Sequence, residues 1–169
     1  MPARCFGSDS ELGAIVDSKI IVGIDPDSDR HGFAVYNDGK LIVCASATAV
    51  EIFAWHLPML TESGEILFSI ENVMQNQFVY ARNKKQSKAA ESKVAMHIGR
   101  CQQAQLELMK WLDYYKIPYV LHSPQKGNWS DKKELFEKIT GWAGRSNPDS
   151  RAAAFFGYLA LQDKRNAIR

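Results

Sequence analysis

The strongest constraint on the fold is an apolar run near the start of the chain that ends abruptly in charged residues. Residues 20–25 read Ile-Ile-Val-Gly-Ile-Asp, and Pro-Asp-Ser-Asp-Arg follows at once. An unbroken β-branched run is typical of a strand that is buried on both faces, and proline followed by charges ends such a strand. The sequence therefore predicts a central buried strand that carries Asp25 at its end.

Composition places the chain among ordinary globular domains. It has 169 residues, of which 46% are hydrophobic and 24% are charged, and these values exclude a disordered, collagenous or disulfide-stapled protein. The formal net charge is only +2, so any affinity for nucleic acid must come from local clustering of charge.

Targeting and redox signals favour a soluble, cytoplasmic protein. The three cysteines, Cys5, Cys44 and Cys101, form no Cys-x-x-Cys pair, which argues against a zinc site or a disulfide framework. The N-terminus lacks a signal-peptide pattern, and the uncharged stretches fall short of the ~20 apolar residues that a spanning helix needs. We therefore expect no membrane partner and no small-molecule cofactor.

Hydrophobic periodicity divides the rest of the chain into strands and helices, after a loosely ordered tail over residues 1–18. Asn-Asp-Gly at residues 37–39 favours a tight hairpin turn, so the first three strands are expected to form an antiparallel meander. Ser130 is the expected N-cap of the third helix, and Pro58 is expected to kink or end the first. The predicted strands cover residues 20–25, 32–36, 40–45, 66–70 and 117–121. The predicted helices cover residues 50–57, 86–115 and 130–141, and a last helix begins at Asn147 and Pro148. This order predicts an α/β sandwich with a mixed sheet, formed by residues 19–169.

Three carboxylates stand at the ends of these elements. Asp25 ends the first strand, Glu71 ends the fourth, and Asp149 lies in the first turn of the last helix. Clustered carboxylate oxygens suit Mg²⁺, and Mn²⁺ in its place, because these hard cations prefer oxygen ligands and keep other positions for water and phosphate. This layout is typical of two-metal phosphodiester hydrolysis.

The same residues resemble the RuvC-type Holliday junction resolvases of the RNase H-like superfamily. The resembling blocks are Gly-Ile-Asp-Pro at 23–26, Gly-Phe-Ala-Val at 32–35, Ser-Ile-Glu-Asn-Val at 69–73 and Asp-Ser-Arg-Ala-Ala-Ala at 149–154. The resemblance covers residues 19–163 in order. It implies an RNase H-like mixed five-stranded sheet flanked by helices. It also implies a divalent-metal-dependent endonuclease of DNA recombination and repair, which acts as a homodimer and cuts four-way DNA junctions by paired nicks. It also implies that Asp25, Glu71 and Asp149 are the metal ligands.

The chain departs from that pattern at one acid. The family usually carries Asp-x-x-Asp in the last helix, and this chain has Ala152 at the second position. If Asp149 is itself the second acid, Ser146 or Asn147 stands near the first. Asp27 or Asp29 is a further candidate for the missing charge. The resemblance also implies a lysine near the scissile phosphate, where it would stabilise developing charge; Lys133 has the better register, with Lys132 as the alternative.

A basic cluster follows the fourth strand. Residues 82–100 contain six basic side chains and a single acidic one, Glu91. The basic residues are Arg82, Lys84, Lys85, Lys88, Lys93 and Arg100. Such a cluster would contact phosphates and make binding salt-dependent. Met74, Phe78 and Tyr80 precede it in a polar loop. The resemblance implies that this loop inserts an aromatic side chain at the junction centre, where a base offers its face for stacking. The alternative is a solvated helix face beside core aromatics.

Two other functions are consistent with the same fold. The YqgF-type, or RuvX-type, branch is associated with RNA processing, and its last helix commonly opens Asp-x-x-Ala-Ala, as residues 149–153 do here. Ser-Ile-Glu at 69–71 and the basic helix favour the resolvase instead. The missing fourth acid also allows a non-catalytic nucleic-acid-binding module. The four histidines show no metal-ligand spacing, and we expect them to be ordinary surface or core residues.

Overall fold

The structure is a computed structural model that describes residues 19–75 and 88–167. The predicted tail, residues 1–18, therefore lies outside the described residues. The strands are β1 (Ile20–Asp25), β2 (His31–Asn37), β3 (Lys40–Ala47), β4 (Ile66–Glu71) and β5 (Tyr119–His122). The helices are a π-helical segment (Glu51–His56) that continues into α1 (Leu57–Ser63), a 3₁₀ turn (Val73–Gln75), α2 (Lys88–Tyr115), α3 (Lys133–Thr140) and α4 (Pro148–Ala167).

The five strands form one mixed sheet in the order β3-β2-β1-β4-β5. β1 pairs with β2 in the antiparallel sense and with β4 in the parallel sense. The predicted meander of β1, β2 and β3 is thus confirmed. Asp38 and Gly39 have φ values of 47° and 79°, and these two positive angles are what a two-residue hairpin of the type I′ class requires.

β1 lies at the centre because both of its faces are covered. Ile21 packs in the core that lies against α4, whereas Ile20 and Val22 pack in the core that lies against α2 and the π-helical segment. Side chains alternate between the faces of a strand, so an unbroken apolar run supplies both cores. The prediction of a strand buried on both faces is confirmed.

α4 packs unusually close to the sheet because glycines face each other across the contact. A Cβ atom added at Gly23 would lie 2.0 Å from the carbonyl oxygen of Ala153, and one added at Gly157 would lie 2.8 Å from the Tyr36 ring. Two side chains hold the helix there. The Tyr36 hydroxyl donates to the Ala154 carbonyl at 2.8 Å, and the Ser69 hydroxyl donates to the Phe156 carbonyl at 2.6 Å.

The long helix α2 carries the predicted apolar stripe but buries only part of it. Gln105, Leu108 and Leu112 are fully buried, whereas Val94 and Ile98, nearer the start of the helix, are half-buried. The first half of α2 therefore stands beyond the sheet core. Among the described residues no helix, α2 included, combines the length and apolarity needed to cross a membrane.

One local prediction was wrong, and of the two outcomes expected at Pro58 only the end of the helix is contradicted. Ser130 is not an N-cap: α3 begins three residues later, with Lys132 at the N-cap, because the Ser130 carbonyl accepts hydrogen bonds from the Arg151 guanidinium. Pro58 does not end the first helix. It occupies the first turn of α1, where its missing N–H costs little, and the helix continues to Ser63.

Replacing Gly23 by Ala should destabilise the protein by about 2–3 kcal/mol, because the new methyl group would force α4 away from β1. Gly99 provides the control, since nothing lies within 4 Å of a Cβ atom added there. Alanine in that exposed helical position should stabilise the protein by about 0.5–1 kcal/mol. Urea unfolding of both variants measures the difference, and equal stabilities would contradict the close contact.

Candidate metal centre

Sheet topology brings Asp25 and Glu71 together. β1 and β4 are parallel neighbours, and their register pairs Ile24 with Ile70. The next residue of each strand is the acid that ends it. Parallel strands end at the same edge of a sheet, so both carboxyl groups lie at that edge, where the Asp25 side chain hydrogen-bonds to Glu71.

Asp149 reaches the same place because position 32 has no side chain. Gly32 pairs with Asp25 across β1 and β2. A Cβ atom added at Gly32 would lie 2.1 Å from the Asp149 carbonyl oxygen and 3.1 Å from the Asp25 Cβ atom. Any other residue at 32 would therefore push the start of α4 away from Asp25.

The start of α4 is held by a reciprocal cap. The Asn147 side chain accepts from the Ser150 N–H at 2.7 Å, and the Ser150 hydroxyl accepts from the Asn147 N–H at 3.0 Å. This arrangement satisfies amide groups that the first turn of a helix leaves unpaired. Ala152, at the position of the absent fourth acid, is 1% exposed. The cap holds Asp149 in the first turn of α4, where its charge acts on Asp25.

Asp25 is the most strongly perturbed of the three acids, and all three have raised pKa values. Burial raises the pKa of Asp25 far above its usual range, and the hydrogen bond to Glu71 and the charges of Glu71, Asp149 and Asp27 raise it further. Burial also raises the pKa of Glu71, against the hydrogen bond from Asp25. Asp149 is the most exposed of the three, and partial burial followed by the charge of Asp27 raises its pKa, whereas Arg151 lowers it. A proton on Asp25 thus relieves repulsion that a bound cation would also relieve.

The donor set fits a hard divalent cation. The Asp25 and Glu71 side chains contact each other, and the charge of Asp149 acts on Asp25 from the start of α4; this repulsion favours a cation that replaces the proton between Asp25 and Glu71. Asp25, Glu71 and Asp149 could therefore hold Mg²⁺ or Mn²⁺ at the sheet edge.

A cavity opens beside Asp25 toward α2. Its volume is about 220 Å³. Asp25 and Asp27 line it from the β1 side, and His97 and Cys101 line it from α2. The ligand atoms of Asp27, His97 and Cys101 lie within 4.8 Å of one another.

The sequence pattern did not single out His97 and Cys101, which the structure brings together with Asp27. The signal that could have found them is their four-residue separation, which places both side chains on one face of a helix. Their approach to Asp27 depends on tertiary packing.

Buried amides fasten α2 to the end of β4. The Gln105 side chain donates to the Asn72 side-chain oxygen at 3.1 Å, and Gln102 donates to the Val73 carbonyl at 3.4 Å. Asn72 directly follows Glu71. The helix that carries His97 and Cys101 is thereby held in register with the strand that carries Glu71.

Comparison with solved structures identifies the fold. RuvC from Thermus thermophilus in complex with a Holliday junction substrate matches with a TM-score of 0.52 and 20% identity, over 88% of this chain and 96% of that chain. A second Thermus thermophilus RuvC structure matches with a TM-score of 0.50 and 20% identity, over 88% of this chain and 97% of that chain. This chain has a RuvC-like fold. No family model and no curated protein matches its sequence.

The mixed five-stranded sheet flanked by helices thus confirms the RNase H-like prediction. Within this RuvC-like fold, Lys133 is the first residue of α3, and its exposed ammonium lies 3.6 Å from the Glu137 carboxylate. The loop before α3 is tied to α4, because Arg151 donates to the carbonyls of Trp129 and Ser130. Arg151 lies two residues after Asp149, so one buried cation links the Lys133 segment to the acidic cluster.

The predicted nucleic-acid-binding residues are only partly described. Met74 lies in the 3₁₀ turn that follows β4 of the RuvC-like sheet and is 37% exposed. Lys93 and Arg100 are exposed on α2. Lys88 begins α2, but its side chain is not described. Phe78, Tyr80, Arg82, Lys84 and Lys85 lie outside the described residues.

Without metal, the Asp25→Asn variant should be more stable than the wild type at pH 8, by about 1 kcal/mol or more. The folded wild type holds the Asp25 proton more tightly than the unfolded chain does, so its stability falls as pH rises from the usual aspartate range toward the raised pKa. The advantage of the variant should therefore shrink toward pH 5.

Urea unfolding in EDTA across this pH range measures the difference. Asp113→Asn, an exposed change on α2, is the control and should show no such trend. An advantage for Asp25→Asn that does not vary with pH would contradict the repulsion among the acids.

Proposed function

We propose that this chain is a divalent-metal-dependent endonuclease that cuts branched DNA, namely four-way junctions, by paired nicks. The observation that carries the proposal is the contact between Asp25 and Glu71 at one edge of a RuvC-like sheet, with the charge of Asp149 acting on Asp25. A RuvC with a similar fold was solved in complex with a Holliday junction substrate, which supports junction DNA as the substrate.

In the proposed mechanism, Asp25, Glu71 and Asp149 are the metal ligands and the catalytic carboxylates. Bound Mg²⁺, or Mn²⁺ in its place, would activate the attacking water and neutralise the leaving 3′ oxygen. Because the pKa of both Asp25 and Glu71 is raised, binding of a cation would be coupled to release of a proton from this pair. The N-terminus of α4 favours the Asp149 anion, against the burial and the Asp27 charge that raise its pKa. The rigid strand ends and the capped helix hold these oxygens in place, so little reorganisation is needed.

Lys133 is the proposed cation for the scissile phosphate, with Lys132 as the alternative. Its weak, exposed contact with Glu137 is easily exchanged for a phosphate, because such surface pairs contribute ~0–1 kcal/mol. The tie between Arg151 and the preceding loop keeps this segment beside α4.

For the missing acid, the structure favours Asp27 over the other candidates. Its charge raises the pKa of both Asp25 and Asp149, so it contributes to the negative potential of the centre. Asn147 and Ser146 are already used, the first in the helix cap and the second as a partner of Arg151. Asp29 is exposed and points its backbone N–H toward Asp27.

The DNA-binding surface in this proposal begins next to Glu71. Met74, Phe78 and Tyr80 would form the wedge at the junction centre, and the cations from Arg82 through Lys84, Lys85 and Lys88 would contact the phosphates. The exposed Lys93 and Arg100 extend that positive charge along α2. Base stacking on an aromatic side chain is worth ~1–3 kcal/mol per base.

Paired nicks require two centres, and we propose a homodimer. The end of α2 exposes an aromatic cluster of Trp111, Tyr114 and Tyr115, whose ring centroids lie 5.1–6.2 Å apart. Tyr114 is 74% exposed. Exposed aromatic clusters are typical of interaction surfaces.

Asp25→Asn and Glu71→Gln should each lower junction cleavage by about 10³-fold, the equivalent of the several kcal/mol that metal-assisted hydrolysis supplies. Junction binding should change little, because neither residue belongs to the basic cluster. The measurement uses labelled four-way junction, matched duplex and structured RNA, each with Mg²⁺ and with EDTA.

Asp113→Asn is the matched control and should cut normally. Full activity in Asp25→Asn would refute the metal centre. Cleavage of RNA in place of junction DNA would favour the YqgF-type function, and junction binding without any cleavage would favour a non-catalytic module.

Lys84→Ala combined with Lys85→Ala should weaken junction binding and lower the slope of log affinity against log salt by about 2, because each lost phosphate contact releases one fewer counterion. Lys40→Ala combined with Lys110→Ala removes the same charge from exposed positions elsewhere and should leave the slope unchanged. If both double variants have the same slope of log affinity against log salt, the basic cluster does not contact the DNA.

A further inference from the structure

A second group of side chains that could bind a metal lies beside the carboxylate centre (Asp25, Glu71 and Asp149). Asp27 comes from the loop after β1, and His97 and Cys101 come from successive turns of α2. Their ligand atoms lie within 4.8 Å of one another, and the Cys101 sulfur is 3.7 Å from His97 Nε2. All three line the cavity that Asp25 also lines.

The separation between sulfur and nitrogen matches a tetrahedral zinc site. With bonds of ~2.3 Å to sulfur and ~2.0 Å to nitrogen, a tetrahedral angle separates the two ligands by about 3.5 Å. The observed 3.7 Å therefore needs almost no adjustment. The Asp27 ligand atom lies within 4.8 Å of both.

Hydrogen bonds orient the ligands from behind. The Asp27 carboxylate accepts from the Asp29 N–H at 3.3 Å and from the Ser28 hydroxyl at 3.2 Å. The Ser28 backbone lies close enough to the Cys101 thiol to lower its pKa, against the burial that raises it. Such supporting contacts orient metal ligands and are worth about 10–100-fold in affinity.

The donor chemistry separates this group from the carboxylate centre. Sulfur, nitrogen and one carboxylate oxygen favour a borderline or soft cation such as Zn²⁺, whereas the three carboxyl groups of Asp25, Glu71 and Asp149 favour a hard cation. The neighbouring acids also create a negative potential that attracts any cation. His97 is exposed, so a cation can enter from solvent.

We propose that Asp27, His97 and Cys101 form a zinc-class metal site, whose fourth ligand position faces the cavity beside Asp25. Asp27 also contributes negative potential to the carboxylate centre, but the proposed zinc site takes its other two ligands from α2 and does not depend on nuclease activity.

Cobalt provides the test, since a Cys101 thiolate bound to Co²⁺ gives a charge-transfer absorption band that carboxylate-bound Co²⁺ does not give. The reduced full-length protein should show this band, and one equivalent of Zn²⁺ should abolish it. Cys101→Ser and His97→Gln should each remove or weaken the band and lower zinc affinity by at least about 100-fold. Both residues are at least partly solvent-accessible, and circular dichroism verifies that the variants fold.

Cys5→Ser, which removes a thiol from another part of the chain, should keep the band. Asp25→Asn should also keep it, and this variant separates the site from the proposed nuclease centre because junction cleavage should be lost there. Absence of the band in the wild type, its persistence in Cys101→Ser, or its loss in Cys5→Ser would overturn the proposal.

Discussion

The contact between α4 and the sheet is the constraint on which the rest of the structure depends. Gly23 and Gly157 let the helix backbone approach β1 and β2 more closely than any side chain would allow. The same approach continues at Gly32, where the backbone of Asp149 takes the space that a side chain would fill. Because close packing transmits displacements of a few tenths of an ångström, these glycines determine where Asp149 lies relative to Asp25.

That geometry disfavours the ionised forms of the buried acids at the sheet edge. Burial and mutual repulsion raise the pKa of Asp25 and Glu71, so the metal-free centre is unfavourable when fully ionised. In the proposed metal centre, a bound divalent cation would relieve this repulsion. Sites arranged in this way exchange stability of the free protein for function. The cavity beside Asp25 is also lined by Asp27, His97 and Cys101, which offer oxygen, nitrogen and sulfur donors.

Much of the fold and part of the centre could be predicted from local sequence. The β-branched run of β1, the Asp-Gly turn and the order of strands were sufficient for the mixed sheet, because each depends on residues that are neighbours in the chain. Asp25 and Glu71 could be identified because an acid that directly follows a buried apolar run stands at the strand end. Ser130 was misassigned because a guanidinium from a distant helix, that of Arg151, uses the carbonyl that a helix start would have required.

The sequence by itself determined the strands, the hairpin and the acids that end the central strands, since these follow from side-chain periodicity and turn chemistry over a few residues. Only the tertiary structure decided which acidic side chains lie close together and which histidine and cysteine side chains lie beside them. Asp27 lies far from His97 and Cys101 in the chain, and their approach depends on how α2 crosses the end of the sheet. That crossing is held by Gln105 against Asn72, a long-range contact between buried amides that no local pattern specifies.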